Sequence, residues 1–297
     1  MDIFIKQRND PPFERGNTMI YADLHVHTNH SDGVCEIEDV LTQAKEKNIQ
    51  ALAITDHDTV NHWPEVKACA ERLGLETIRG VEMSCYDFDV FKKVHILGLW
   101  LDKVDYVEKL CTNTLISRDN YHRQLIKELK QKNYYITYDD AKKYSKYNIV
   151  FKMNIYQALK EKYPDEMTPK KYKELFASKT SKETDLKMGY IDVKEGIKAI
   201  QRDGGIAILA HPCVYDNYNE IGKYVEFGLQ GIEINHSKMK PIDYELTKNL
   251  AVKYNLCKSG GSDFHDPELI QFGKNGLTKQ QFEDLKRFAL KTKEQKN

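Results

Sequence analysis

The stretch "ADLHVHTNHSDG", residues 22–33, sets three histidines and two aspartates into twelve positions behind the lead-in "MIY". Core segments do not carry imidazole and carboxylate at that density without a partner for them. A metal centre, an acid–base cluster and a histidine-rich solvated loop would each explain it. The same residue types recur further along, in "TDHD" (55–58), "GVEMS" (80–84), "KVHILGL" (93–99), "AHP" (210–212) and "GSDFH" (261–265).

His25 and His27 stand two apart in an apolar run, so on a strand both side chains point to one side. "SDG" then turns the chain and offers Asp32; His30 is its rival in the same stretch. Adding His57, Glu82, His95, His211, Asp263 and His265 gives six histidines, two aspartates and one glutamate. Neutral imidazole with carboxylate suits Zn, Mn or Fe, and the lack of cysteine among these residues argues against a structural thiolate zinc. Nine donors exceed the roughly four to six positions of one ion, and fit two or three ions sharing a carboxylate. Each piece has an ordinary alternative: a strand histidine satisfied in the core, an N-capping turn at "TDHD", or turn chemistry at "SDG" and "GSD". Recurrence at six separate strand ends favours one joint site.

These groups need a scaffold that brings strand ends together. The runs "MIYADLHVH", "ALAITDHD", "LETIRGVEMS", "KVHILGL", "IAILAHP", "GIEINHS" and "CKSGGSDFH" are short and nearly all apolar before their polar ends. That is the pattern of strands buried on both faces in a parallel sheet. Amphipathic helical patterns separate them: "EIEDVLTQAKEKN" spaces Ile37, Val40, Leu41 and Ala44 along one face, and "PEVKACAERLG" is bounded by Pro64 and Gly74. The alternation predicts an α/β barrel or doubly wound sheet, and strand C-terminal ends are where barrels place active sites.

Residues 103–187 interrupt this order with helical patterns only. They hold 17 Lys and 2 Arg against 12 Asp and Glu, so +7, with ten of the 18 tyrosines. The remainder carries −7. An anionic ligand near this block and a plain solvated helical surface both account for the charge. The expected organisation is an N-terminal extension 1–18, a first barrel part 19–102, a helical insertion 103–187 and a second barrel part 188–297. No run of 18 apolar residues predicts a membrane span, no apolar leader is evident, and the six scattered cysteines suit reduced thiols. Together they predict a cytoplasmic protein.

"DLHVHTNHSDG", "TDHD", "GVEMS", "HILGL", "AHP" and "GSDFH", in that order, resemble the PHP (polymerase and histidinol phosphatase) family of metal-dependent phosphoesterases. The likeness covers roughly residues 19–101 and 190–266, and is nearest to the branch acting on nucleoside 3′,5′-bisphosphates and oligonucleotide 5′ ends. It implies a distorted (β/α)7 barrel with an inserted helical subdomain, and three ions. His25, His27, Glu82 and Asp263 would hold the first; Glu82, His95 and His211 the second; Asp32, His57 and His265 the third. The family position of His30 is usually not a ligand, which favours Asp32. A metal-activated hydroxide among Glu82, His57 and His265 would attack phosphorus, and Asp23, Asp56, Asp58 and Glu233 would support the ligands from behind.

The resemblance also implies substrate contacts at Arg118 and Arg123, since arginine suits phosphate. Where relatives carry Arg-Pro-His, this chain reads "FKMNIYQAL", with Lys152 and Asn154 in the corresponding places; His236 is a further pocket residue. The expected substrates are phosphorylated small molecules or short oligonucleotides, with no membrane and no obligate protein partner. A small-metabolite phosphatase such as histidinol phosphatase, and a non-catalytic metal-binding interaction module, are the alternatives.

Overall fold

The computed structural model describes residues 19–147, 149–176, 187–270 and 272–295. The expected extension 1–18 and residues 177–186 of the expected insertion lie outside the described residues.

All seven apolar runs form strands. β1 (Ala22–Val26) pairs in parallel with β2 (Ala51–Ile54), and β2 with the two-residue β3 (Glu76–Thr77). Every residue of β1 and β2 is buried, as their apolar sequences require. A second sheet contains β4 (Gly80–Asp87), β5 (Lys92–Leu99), β6 (Ile191–Asp192), β7 (Ile206–Leu209), β8 (Gly231–Asn235) and β9 (Cys257–Gly260). Its spatial order is β6-β4-β5-β7-β8-β9. The two sheets meet through single bridge pairs, Val26 with Phe264 and His57 with Glu82. The hydrogen-bonded ladder is therefore not a continuous closed barrel; the fold is a mixed α/β one.

β5 departs from the all-parallel expectation. It runs antiparallel to β4 over eight pairs and antiparallel to β7. Only residues 88–91 separate β4 from β5, enough for a hairpin but not for the crossover of about a dozen residues that a parallel neighbour needs. Glu82 is corrected in the same way. It lies third in an eight-residue strand, not at its end, because pairing with β5 extends β4 to Asp87.

The flanking helices follow their sequence patterns. α1 (Ile37–Glu46) buries Ile37, Val40, Leu41 and Ala44. α2 (Trp63–Leu73) has Pro64 in its first turn and ends at Gly74, whose φ of 71° a residue with a Cβ adopts only under strain. Between β5 and β6 the described residues form helices alone: α3 (Asp105–Gln131), α4 (Tyr138–Lys142), α5 (Lys152–Lys162) and α6 (Pro169–Phe176). These helices share an apolar cluster of their own, including Ile126, Leu129, Val150, Leu159 and the buried Tyr134 and Tyr156. Some of the tyrosines thus serve helix packing. Val34, from the loop after β1, packs against the same cluster and ties the helices to the polar end of the sheets.

The remaining helices are α7 (Val193–Arg202), α8 (Pro212–Tyr215), α9 (Ile221–Phe227), α10 (Pro241–Lys253) and α11 (Lys279–Glu294). Asp192 caps α7 by accepting the N–H groups of Lys194 and Glu195. Among the described residues no helix is long and apolar enough to cross a membrane, and all six cysteines are free thiols.

Candidate metal centre

One carboxylate organises the polar ends of the strands. Glu82 is fully buried, and its Oε2 faces the ring nitrogens of His25 at 3.1 Å, His27 at 3.1 Å and His57 at 3.2 Å. Its Oε1 faces His95 Nδ1 and His211 Nε2, each at 2.8 Å. The hairpin explains the geometry: because β5 runs back along β4, His95 pairs with Ser84 and arrives beside Glu82.

Three donor groups result, each with atoms within 4.8 Å of one another: His25, His27, Glu82 and Asp263; His57, Glu82 and His95; and His27, Asp32, His57 and His265. Asp263 Oδ1 lies 3.4 Å from both His25 and His27. Asp32 lies 3.3 Å from His265, 3.6 Å from His27 and 3.7 Å from His57. Asp32 thus reaches the cluster, whereas His30 turns to Glu65, at 3.6 Å, and to the ring of His62. The groups overlap more than the sequence suggests, since His27 and His57 each present both nitrogens to carboxylates.

The arrangement fits cations better than a hydrogen-bond network. Glu82 Oε2 has three imidazole nitrogens around it, yet neither it nor His27 Nδ1, His57 Nδ1 or His211 Nδ1 has a hydrogen-bond partner. Buried polar atoms in folded proteins nearly always have one. His25 Nε2 and His27 Nε2 face each other at 3.1 Å, two lone-pair donors converging on one place. The opposite side of the ring is fixed at two ligands. His25 Nδ1 lies 3.2 Å from Glu233 Oε1, and His265 Nδ1 is 2.8 Å from the Asp263 carbonyl. With the proton on Nδ1, each ring turns its Nε2 lone pair inward.

The electrostatics match. Burial alone would raise the carboxyls of Glu82, Asp32 and Asp263, but the surrounding imidazoles hold all three well below the carboxylate range. Burial keeps His57 and His95 below 6.5, hence neutral. His27 is pushed the other way, to about 10, since the carboxylates of Asp263, Glu82 and Asp32 facing it overcome its burial. Protons on His25 and His27 offset the carboxylate charge that a divalent ion would otherwise offset.

Backbone strain marks the same place. Asp58, His211 and Asp263 all adopt positive φ, at 55°, 24° and 55°. Such conformations cost of order 1–3 kcal/mol each and collect at functional sites. At His211 the N–H donates to Glu233 Oε2 at 2.7 Å, and hydrogen bonds to charged groups contribute about 1.5–3 kcal/mol, enough to hold the strained turn.

The supporting carboxylates divide differently from the expectation. Glu233 does touch ligand-type residues, His25 and His211. Asp23 accepts from Ser262 N–H at 2.9 Å, and burial lifts its carboxyl to about 7. Asp56 instead holds the turn after β1, accepting from Thr28 N–H, Thr28 Oγ1 and Ser31 Oγ. Asp58 accepts from Ser84 N–H and pairs with Arg118. Neither Asp56 nor Asp58 orients a ligand imidazole; their strand-end turns direct them to backbone and to α3.

The expected substrate residues separate too. Arg118 is buried, donates to Asp58 Oδ2 at 2.8 Å and Ser84 Oγ at 2.7 Å, and lies over the Phe151 ring. Arg123 is not brought to the cluster: it bonds Asp119 one turn back and stacks 3.5 Å above Tyr138. Asn154 is engaged in the α5 cap, accepting from Phe151 N–H and donating to the Tyr144 carbonyl. Lys152 opens α5. His236 belongs to the cluster, with Nε2 at 3.2 Å from Asp263 Oδ2. Three neighbours escaped the sequence reading. Lys238 places Nζ 3.5 Å from Asp263, Ser84 meets Arg118, and Tyr215 lies against His95 and His211. "SK" after "EINH" and "CVY" after "AHP" were the available signals, and neither is specific.

Residues 23–201 match the model of the PHP domain. The chain is 35% identical over 246 residues to the phosphoribosyl 1,2-cyclic phosphate 1,2-diphosphodiesterase of Eggerthella lenta, covering 82% of this chain and 93% of that protein. It is 26% identical to the 3′,5′-nucleoside bisphosphate phosphatase of Chromobacterium violaceum, over 90% and 93% of the two chains. A solved structure described as a metal-dependent phosphoesterase, from Bifidobacterium adolescentis, superposes with a TM-score of 0.77 at 26% identity, covering 89% and 94%. This chain belongs to the PHP domain family, and it is a phosphoric ester hydrolase.

Proposed function

We propose that this protein hydrolyses the phosphate ester of a small phosphorylated sugar or nucleotide, using two or three divalent transition ions. The observation that carries the reading is the single buried carboxylate of Glu82 with five imidazoles on its two oxygens. His25, His27, Glu82 and Asp263 would hold one ion. Glu82, His95 and His211, with His57 alongside, would hold a second. Asp32, His57 and His265, with His27 alongside, would hold a third. Nitrogen and oxygen donors without thiolate suit Mn, Zn or Fe.

When bound, such ions supply Lewis acidity toward a phosphoryl oxygen and acidify a water toward neutral pH. The chain does the positioning. Glu82 keeps its two oxygens turned to separate histidine sets, and His57 and His265 would border the space left for the phosphoryl group. Arg118, held on Asp58 and Ser84, contributes fixed positive charge near the site, and Lys238, 3.5 Å from Asp263, adds a cation for a second phosphate. We read helices α3–α6 as a substrate cap beside the polar strand ends, tied to them through Val34.

The relative named for a phosphoribosyl cyclic phosphate is 35% identical over 82% of this chain, so that ester heads the candidates, followed by 3′,5′-bisphosphates and oligonucleotide 5′ ends. A panel of these esters with histidinol phosphate added, assayed for metal-dependent product release (ring-opened monoester, mononucleotide or phosphate), tests the reading. Turnover of a ribosyl or nucleotide ester, lost on chelation, is expected. Release from histidinol phosphate alone, or from none of them with ions bound, would overturn it.

A further inference from the structure

We infer that Tyr215 is a positioning residue that holds His95 and His211 against Glu82 Oε1, and so sets the affinity of the ion expected there. The inference rests on the metal reading above and adds to it a residue outside the donor groups. Each inward-facing imidazole needs something behind it that stops the ring from turning. Glu233 serves His25 and the Asp263 carbonyl serves His265. His95 has Nδ1 on Glu82, and its far nitrogen, Nε2, lies 3.4 Å from the Tyr215 hydroxyl. His211 has Nε2 on Glu82 and no hydrogen-bond partner at Nδ1, so on that far side packing fixes its ring.

Tyr215 supplies part of that packing. Its ring stands edge-on to His95, with centroids 5.0 Å apart at 64°, and edge-on to His211, at 5.6 Å and 69°. The local chain geometry produces this contact. His211 turns at φ 24°, Pro212 starts the single turn of α8, and Tyr215 comes back over His211 four residues on. The two imidazoles it touches are those that share Glu82 Oε1. One side chain therefore contacts both imidazoles on Glu82 Oε1, while His25 and His265 have other supports. Its effect should accordingly fall on one ion and spare the rest.

The test is titration of the ion-free protein with Mn2+, followed by calorimetry and equilibrium dialysis, for wild type, Tyr215→Phe and Tyr215→Ala. Tyr215→Phe keeps the ring and removes only the hydroxyl, so folding is not at stake. The expected result is an unchanged tightest ion and a roughly 10–100-fold weaker one in Tyr215→Phe, with a further loss in Tyr215→Ala. In assays, kcat at low Mn2+ should fall and recover as Mn2+ is raised, with KM unchanged. Wild-type affinities for every ion in Tyr215→Phe would overturn the inference and leave the metal reading standing. A raised KM with unaltered ion uptake would also overturn it, by making Tyr215 a substrate contact. Failure of the wild type to take up any ion would remove the metal reading and this inference together.

Discussion

His57 and Glu82 form a bridge pair across the joint between the two sheets, and the His57 ring nitrogen Nδ1 lies 3.2 Å from Glu82 Oε2. The same backbone pairing that joins the sheets therefore also assembles the candidate metal centre. Structure and chemistry meet at one residue pair, and ion binding should be felt by the fold as a whole.

Divalent ions should raise thermal stability. A ligand that binds only the folded state contributes about 2.7 kcal/mol when its concentration is 100 times Kd, and two or three ions would each add such a term. Differential scanning calorimetry should show Tm rising with Mn2+ or Zn2+ and falling with a chelator. A Tm that does not respond to either would count against ions at the sheet joint.

Arg118 separates stability from substrate binding. It is buried with Asp58, and removing one partner of a buried pair is destabilising by about 3–5 kcal/mol. Arg118→Ala should lower the unfolding free energy from a urea titration by that amount, and Asp58→Asn with Arg118→Ala should recover part of it. A variant as stable as wild type would show that the guanidinium is held for the substrate alone.

His122 gives a specific acid sensitivity. Burial, reinforced by the Arg118 charge, lowers it to about 3, below the unfolded value of 6.5. Between those values the unfolded chain binds a proton that the folded one does not, so stability falls as pH falls from 6.5 toward 3, by up to about 1.4 kcal/mol per unit. Above 6.5 the contribution is constant. His122→Gln should flatten the acid limb of a denaturation series by that slope; an unchanged limb would contradict the assignment.

Much of the candidate site was legible because donor residues follow the ends of four strands: His27 and Asp32 after β1, His57 after β2, His211 after β7, and Asp263 and His265 after β9. "HVH" placed His25 and His27 together, and "SDG" placed Asp32. What stayed hidden depends on chain direction and local turns. The antiparallel course of β5, which sets His95 beside Glu82, follows from the four residues 88–91 and not from any apolar pattern. Asn154 looked like a ligand contact, yet hydrogen bonding to the α5 N-terminus engages it. Arg123 shares α3 with Arg118, but five positions along a helix turn a side chain to another face. Tyr215 depends on the strained turn at His211, which no spacing rule announces.

The most direct test of the central claim is quantitative metal analysis of reconstituted wild type and Glu82→Gln, paired with product release, as ring-opened monoester or phosphate, from a phosphoribosyl cyclic phosphate. The account predicts two or three ions per chain in wild type with ion-dependent release. In Glu82→Gln it predicts fewer ions and a rate at least about 100-fold lower, as for loss of a central electrostatic group. Full ion content and full rate in Glu82→Gln would contradict it.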